Sequence, residues 1–178
     1  MGFEMKKSNE TKLAKTFQKA VLQMVALGNS EEEVTSYARN LFKEVSQGKY
    51  DMKSIVKRSR LRTPLDEYKT IAGGSAGVYY YNQYGLGTIE VGDSYYYYTV
   101  DNKQIQGYPI KYEYKGRVRD VEYIACKKVD EVIKSFPVNW KRLANSEIIK
   151  KVSLIYDSLG WDINTISQTG KQTMLNEW

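Results

Sequence analysis

The sequence predicts an α+β fold. It should hold an N-terminal helical pair, a small tyrosine-rich antiparallel β-sheet in the middle, and a C-terminal helix with a flexible tail. Three observations predict this. Apolar residues recur at helical spacing through the first third, at Leu13, Phe17, Val21, Met24 and Val25, then Val34, Tyr37, Ala38, Leu41, Phe42 and Val45. Tyr is over-used, 16 against 4 Phe and 3 Trp, and much of it lies in the middle of the chain between turn-forming pairs. Helical spacing returns at Trp140, Leu143, Ala144, Ile148, Val152, Ile155 and Leu159 and stops at Gly160.

In chain order, residues 10–27 lack Pro and Gly and form the first helix, ended by Gly28-Asn29. Ser30 opens the second, with Glu33 three residues on in a capping-box pattern, and Gly48 ends it. The short joint suggests an antiparallel pair. Pro64 argues against a long helix through the basic stretch that follows. Gly73-Gly74 read as a flexible joint. Residues 78–81 and 95–100 are rich in β-formers, with Asp101-Asn102 as a turn. Residues 108–114 alternate as a strand, Lys115-Gly116 turn, and 118–126 return as another. The tail from Asp162 is polar with few apolar anchors, so mobility is expected there.

At 178 residues the length prior gives one domain, and 42% hydrophobic content is enough for a core. The formal net charge of +6 favours a polyanionic partner. The chain has no His and one Cys, Cys126, which excludes disulfides, most zinc templates and His-paired nucleophiles. Cys126 reads as a small core residue. No apolar run approaches the roughly 20 residues needed to span a bilayer. No signal peptide opens the chain, so no membrane partner and a cytoplasmic setting are expected. No Asp-x-Asp pair exists to hold two metal ions, and the glycine pairs lack a phosphate-loop Lys and Ser/Thr.

Binding features are stronger. Residues 57–62 hold four cations, Lys57, Arg58, Arg60 and Arg62. Lys103, Lys111, Lys115, Arg117 and Arg119 follow against one acid, Glu113. Such cations can neutralise phosphates, with a solvated charged surface as the plain alternative. Tyr79–Tyr81 and Tyr95–Tyr98 could stack on unpaired bases, or serve as amphipathic sheet residues. At the C-terminus, Gln172-x-x-Leu175-x-x-Trp178 can form one helical turn with both apolar residues on one side, suited to a shallow partner pocket.

The order of these parts resembles the thumb of family B DNA polymerases. Gly2-Phe3-Glu4-Met5-Lys6-Lys7-Ser8-Asn9, with Leu13-Ala14-Lys15 and Gln18-Lys19, resembles the start of that thumb. Arg62-Thr63-Pro64-Leu65-Asp66-Glu67-Tyr68-Lys69 resembles the family's basic-Thr-Arg/Pro-Leu-x-x-Tyr-Lys segment. Where the family continues with a His-containing stretch, Gly73-Gly74-Ser75-Ala76 stands here. Gly77 to Asn82, with Ile89-Glu90-Val91-Gly92-Asp93, is similar to a thumb β-insertion of tailed-phage replicative polymerases, and archaeal replicative polymerases are the other close group. Val138-Asn139-Trp140 and Leu159-Gly160-Trp161 resemble the closing helices, and residues 172–178 resemble a sliding-clamp-binding tail.

The resemblance implies a thumb-like DNA-binding domain over 1–161: a helical pair at 1–48, a β-insertion at 73–126 and closing helices at 127–161. Residues 162–178 would be a flexible tail with a clamp-binding-like motif. It implies the product of a split polymerase gene or an excised fragment, with no catalytic residue and no metal of its own. Mg2+ is expected in a partner palm domain. Expected partners are primer–template duplex DNA, a palm- and fingers-bearing chain, and a sliding clamp. Lys57, Arg58, Arg60, Arg62, Tyr68, Lys69, Arg117 and Arg119 are the expected DNA contacts, and Gln172, Leu175 and Trp178 the clamp anchors. The alternative is a stand-alone single-strand-binding module built on the tyrosine-rich sheet, with Tyr79 and Tyr97 as its test residues.

Overall fold

A computed structural model of the chain describes residues 10–168. Helix α1 (Lys12–Ala26) is capped by Thr11, whose hydroxyl accepts from the Ala14 N–H at 3.0 Å. Helix α2 (Glu31–Ser46) begins with the capping box expected at Ser30 and Glu33. Three first-turn glutamates, Glu31, Glu32 and Glu33, complement the positive end of its dipole. Each helix buries the apolar stripe that its spacing predicts, Leu13, Phe17 and Val21 on α1 and Val34, Ala38 and Val45 on α2. The two touch, but α2 packs more extensively against C-terminal helices than against α1.

After the short α3 (Met52–Ile55), the basic segment forms strand β1 (Lys57–Arg60). It pairs antiparallel with β2 (Ser94–Thr99), which pairs on its other edge with β5 (Tyr123–Cys126). A separate hairpin, β3 (Lys111–Tyr114) and β4 (Arg117–Asp120), turns at Lys115 (φ 48°) and Gly116 (φ 73°). Positive φ at both turn residues matches the right-handed twist of a two-residue hairpin, as the Lys-Gly pair predicts.

The expected strand over 78–81 is instead the end of helix α4 (Gly74–Gln83), and Gly73-Gly74 are its start rather than a flexible joint. Local β-propensity loses here to packing. A Cβ added at Gly77 would lie 2.8 Å from the Ala125 backbone nitrogen, so the helix rests directly on β5. Asn82 then fixes the returning loop, its side chain bonding both N–H and C=O of Ile89 at 2.9 Å. The single strand expected over 118–126 is split at Val121-Glu122 between the two sheets. The strand expected over 108–114 shortens to β3.

The last helical run is α5 (Trp140–Ala144), a π turn (Asn145–Ile149) and α6 (Lys150–Leu159), ended by Gly160 at φ 70°. The wider π turn seats Glu147 in the interior, fully buried. Residues 162–168, expected to open a mobile tail, are instead ordered, and the rest of that expected tail lies outside the described residues. Helix α7 (Asn164–Ser167) docks on α2, burying Ile166, and Arg39 Nε donates to the Thr165 carbonyl at 3.1 Å. One continuous core joins the helices to the sheets. Among the described residues, no helix is long and apolar enough to cross a membrane.

Candidate nucleic-acid interface

The β1–β2 register decides where the basic residues point. Lys57 sits opposite Tyr97, Arg58 opposite Tyr96, Ser59 opposite Tyr95 and Arg60 opposite Ser94. Opposed residues share a face, so Arg58, Arg60, Tyr96 and Ser94 lie on one side and Lys57, Ser59, Tyr95 and Tyr97 on the other. The first set is exposed. Arg60 is steadied there, its Nε donating to the Gly92 carbonyl at 2.7 Å. Arg62, just beyond the strand, is also exposed.

Lys57 is turned away from that face. Its ammonium lies 2.8 Å from Glu147 Oε1. Glu147 also accepts from Thr11 Oγ1 at 2.7 Å and from Ser146 Oγ at 2.9 Å. Lys57 therefore ties the strand to the π turn and to the head of α1.

The other expected contacts form a second group around the 3₁₀ turn Leu65–Glu67 and the hairpin. Tyr114 donates its hydroxyl to the Leu65 and Tyr68 carbonyls, and Lys115 Nζ donates to the Asp66 and Tyr68 carbonyls. Tyr68 is half-buried and its carbonyl is the shared acceptor; Lys69 beside it is exposed. Arg117, opposite Tyr114, is exposed, whereas Arg119, opposite Tyr112, turns inward. Arg119 Nε is buried without a hydrogen-bond partner among the described residues. With Gly73, Tyr112, Glu122 and Tyr123 it lines a cavity of about 400 Å³ beside the start of α4. Gln172, Leu175 and Trp178 lie outside the described residues.

The tyrosines are mostly consumed by packing. Of the 16, only Tyr96 is exposed, at 36%. Tyr79 stacks edge-on against Tyr114 with centroids 5.1 Å apart and donates to the Glu113 carbonyl at 2.9 Å. Tyr80 and Tyr98 donate to the Pro109 and Phe136 carbonyls at 2.6 and 2.9 Å. These rings fill the core while their hydroxyls satisfy loop carbonyls. Burial raises the pKa of Tyr97 to about 12 and drives that of Tyr98 higher still. Tyr79 and Tyr97, the test residues of the single-strand alternative, are not presented for stacking on bases.

Sequence reasoning missed the strand at 57–60. The signal was present as Arg58 and Arg60 at period two, with Lys57 and Ser59 between them. It also missed Glu147, which reads as one more polar residue of an amphipathic helix. Burial pushes the Cys126 thiol to about 12, so it is not an activated nucleophile. Among the described residues, no cluster of three or more Cys, Asp or Glu could hold a metal ion.

No protein-family model matches the chain, and no curated protein matches it either. Among solved structures, a family B DNA polymerase from the hyperthermophilic archaeon Pyrobaculum calidifontis matches with a TM-score of 0.61 and 20% identity. The match covers 86% of this chain and 18% of the polymerase chain, so this chain spans less than a fifth of that polymerase's length. At this identity the likeness is one of fold alone.

Proposed function

We propose that this chain is the thumb portion of a DNA-directed DNA polymerase. In this reading it grips primer–template duplex through the phosphate backbone and supports processive replication. Palm and fingers outside this sequence supply catalysis, and the Mg2+ chemistry belongs to them. The observation that carries the reading is the backbone likeness: 86% of this chain matches 18% of a family B polymerase chain. The open face of β1 supports the DNA contact. Arg58 and Arg60 lie on one face about 6.8 Å apart along an extended strand, so the two guanidiniums can each reach a separate phosphate. Contacts of this kind position a duplex without reading its sequence. Arg62, Lys69 and Arg117 extend the set of exposed cations, whereas Lys57 and Arg119 act from behind it. Gln172, Leu175 and Trp178 remain the proposed anchors for a sliding clamp.

One observation favours a second reading. Tyr96 is exposed directly across from Arg58, a pairing that could hold a single unpaired base. A competition between duplex with a recessed 3′ end and single strand of equal length separates the two. The thumb reading expects the duplex to win. It also expects the logarithmic salt slope to fall by about 0.9 for each phosphate contact removed with Arg58, Arg60 or Arg62. Preference for single strand, or a salt slope unchanged in the triple variant, overturns it.

A further inference from the structure

The closed side of the central sheet contains a second, smaller cavity that the DNA reading does not use. It measures about 120 Å³ and lies between β2 and the π turn. Lys57, Tyr97, Thr99, Tyr123, Arg142 and Lys150 are among its walls. Three of these six carry positive charge. Glu147 pairs with Lys57 at 2.8 Å, and Glu122 pairs with Arg142 at 2.8 Å. Lys150 has no ion pair among the described residues, so one cation on the wall is unbalanced. Arg142 is further fixed over the Tyr123 ring, 5.4 Å from its centroid.

The remaining wall groups are rich in hydroxyls. Tyr97 and Tyr123 contribute phenols, and Thr99 is 7% exposed with an Oγ1 that has no hydrogen-bond partner among the described residues. A buried hydroxyl left unpaired is unfavourable, and such groups call for a ligand or a water. Cations and hydroxyls converging from β1, β2, β5, α5 and α6 suit an acceptor with oxygens in several directions. Size narrows the choice. Each water occupies about 30 Å³ of liquid, so the cavity holds only about four. Pockets for whole small-molecule ligands start near 300 Å³, which rules out a nucleoside.

We propose that this cavity binds one tetrahedral phosphate group, either free phosphate or a single phosphate of a DNA strand. Lys150 would supply the unbalanced charge, Arg142, already answered by Glu122, would add N–H donors, and Thr99 would find the partner that it lacks. The proposal does not depend on the thumb reading, because these residues face away from Arg58 and Arg60.

The test is calorimetric titration of the intact chain with inorganic phosphate at fixed ionic strength, with chloride and acetate as controls. The expected result is saturable binding of one phosphate per chain. Lys150→Gln should weaken it at least tenfold and Thr99→Val several-fold, with far-ultraviolet dichroism unchanged. Lys150 is exposed and makes no ion pair among the described residues, so Lys150→Gln decides the matter even if Thr99→Val fails to fold. Phosphate heats no larger than those of chloride, or wild-type affinity in Lys150→Gln, overturn the proposal. A duplex titration in saturating phosphate identifies the source. Competition that disappears in Lys150→Gln assigns a DNA phosphate, and its absence in the wild-type chain assigns free phosphate. Loss of duplex binding with phosphate binding intact would defeat the thumb reading alone.

Discussion

The two faces of the β1–β2 ribbon differ more than their sequences suggest. One carries Lys57, Ser59, Tyr95 and Tyr97 and is closed by α4 and the π turn; the other buries Tyr98 at one end and is open at the other, where Arg58, Arg60, Ser94 and Tyr96 lie. Both have cations and tyrosines. On the closed face they are structural: the lysine answers a buried carboxylate and the rings pack under a helix. On the open face similar side chains have little to hold in place and are free to meet a partner. Composition alone cannot separate these uses, because strand alternation sorts them residue by residue.

The sharpest way to break that contrast is Glu147→Ala. It strips the closed face of the carboxylate that Lys57, Thr11 and Ser146 share. Removing one partner of a buried pair costs about 3–5 kcal/mol, since the other charge is left unanswered. Chemical denaturation should show a loss near the lower end, because Lys57 keeps 27% of its side chain exposed. A loss below about 1 kcal/mol, typical of surface pairs, would mean that the closed face is held by packing alone.

Next in size is Gly77→Ala, which presses on the lid of the same face. The new Cβ would meet the Ala125 nitrogen at 2.8 Å and the Ile124 carbonyl carbon at 2.9 Å. These are backbone atoms and cannot rotate away, so overpacking of about 1–3 kcal/mol should exceed the helix-propensity gain of Gly to Ala, about 1 kcal/mol. Thermal unfolding at a lower midpoint is expected. A raised midpoint would show that α4 can lift from β5.

The same contact explains which parts of the fold were legible. Helices α1 and α2 could be read because their signals are local: a capping residue, an apolar stripe, a terminal glycine. Helix α4 could not, because Val78, Tyr79, Tyr80 and Tyr81 favour strands and the reason for a helix lies about fifty residues away at β5. The hairpin turn was readable from Lys115-Gly116. The transfer of the returning chain from one sheet to another at Val121-Glu122 was not. At the candidate site the cations were legible as a cluster. Their division between an open and a closed face required the register with β2.

A smaller effect comes from the Tyr97 phenol. Burial, then the nearby Tyr95, Tyr123 and Glu147 groups, raise it from 10.0 to about 12. The raised folded-state value means that the fold prefers the neutral phenol. Its contribution is complete below the unfolded value of 10.0 and is lost as pH rises toward 12. Stability should therefore fall between these limits, and Tyr97→Phe should flatten that fall. Alkaline denaturation of the two chains, monitored at a wavelength insensitive to phenolate, measures the difference. Identical profiles would show that the ring ionises as freely as one in water.

The finest comparison is between neighbours, and Arg58→Thr within it has the smallest stability effect. Lys57→Thr and Arg58→Thr both remove one cation from β1 and both keep a residue suited to strands. Lys57→Thr leaves Glu147 buried without its ammonium and should destabilise by an amount similar to Glu147→Ala. Arg58→Thr removes a side chain that makes no ion pair among the described residues, so stability should change by no more than about 0.5 kcal/mol. The order reverses for duplex binding. With each variant held well below its unfolding transition, Arg58→Thr should lower the logarithmic salt slope by about 0.9, one phosphate contact. Lys57→Thr should leave that slope unchanged, because its charge already faces Glu147. Equal slopes in the two variants would mean that the duplex senses net charge rather than a face of the ribbon. The assignment of the open face as the DNA-contacting surface would then fail, even with the fold intact.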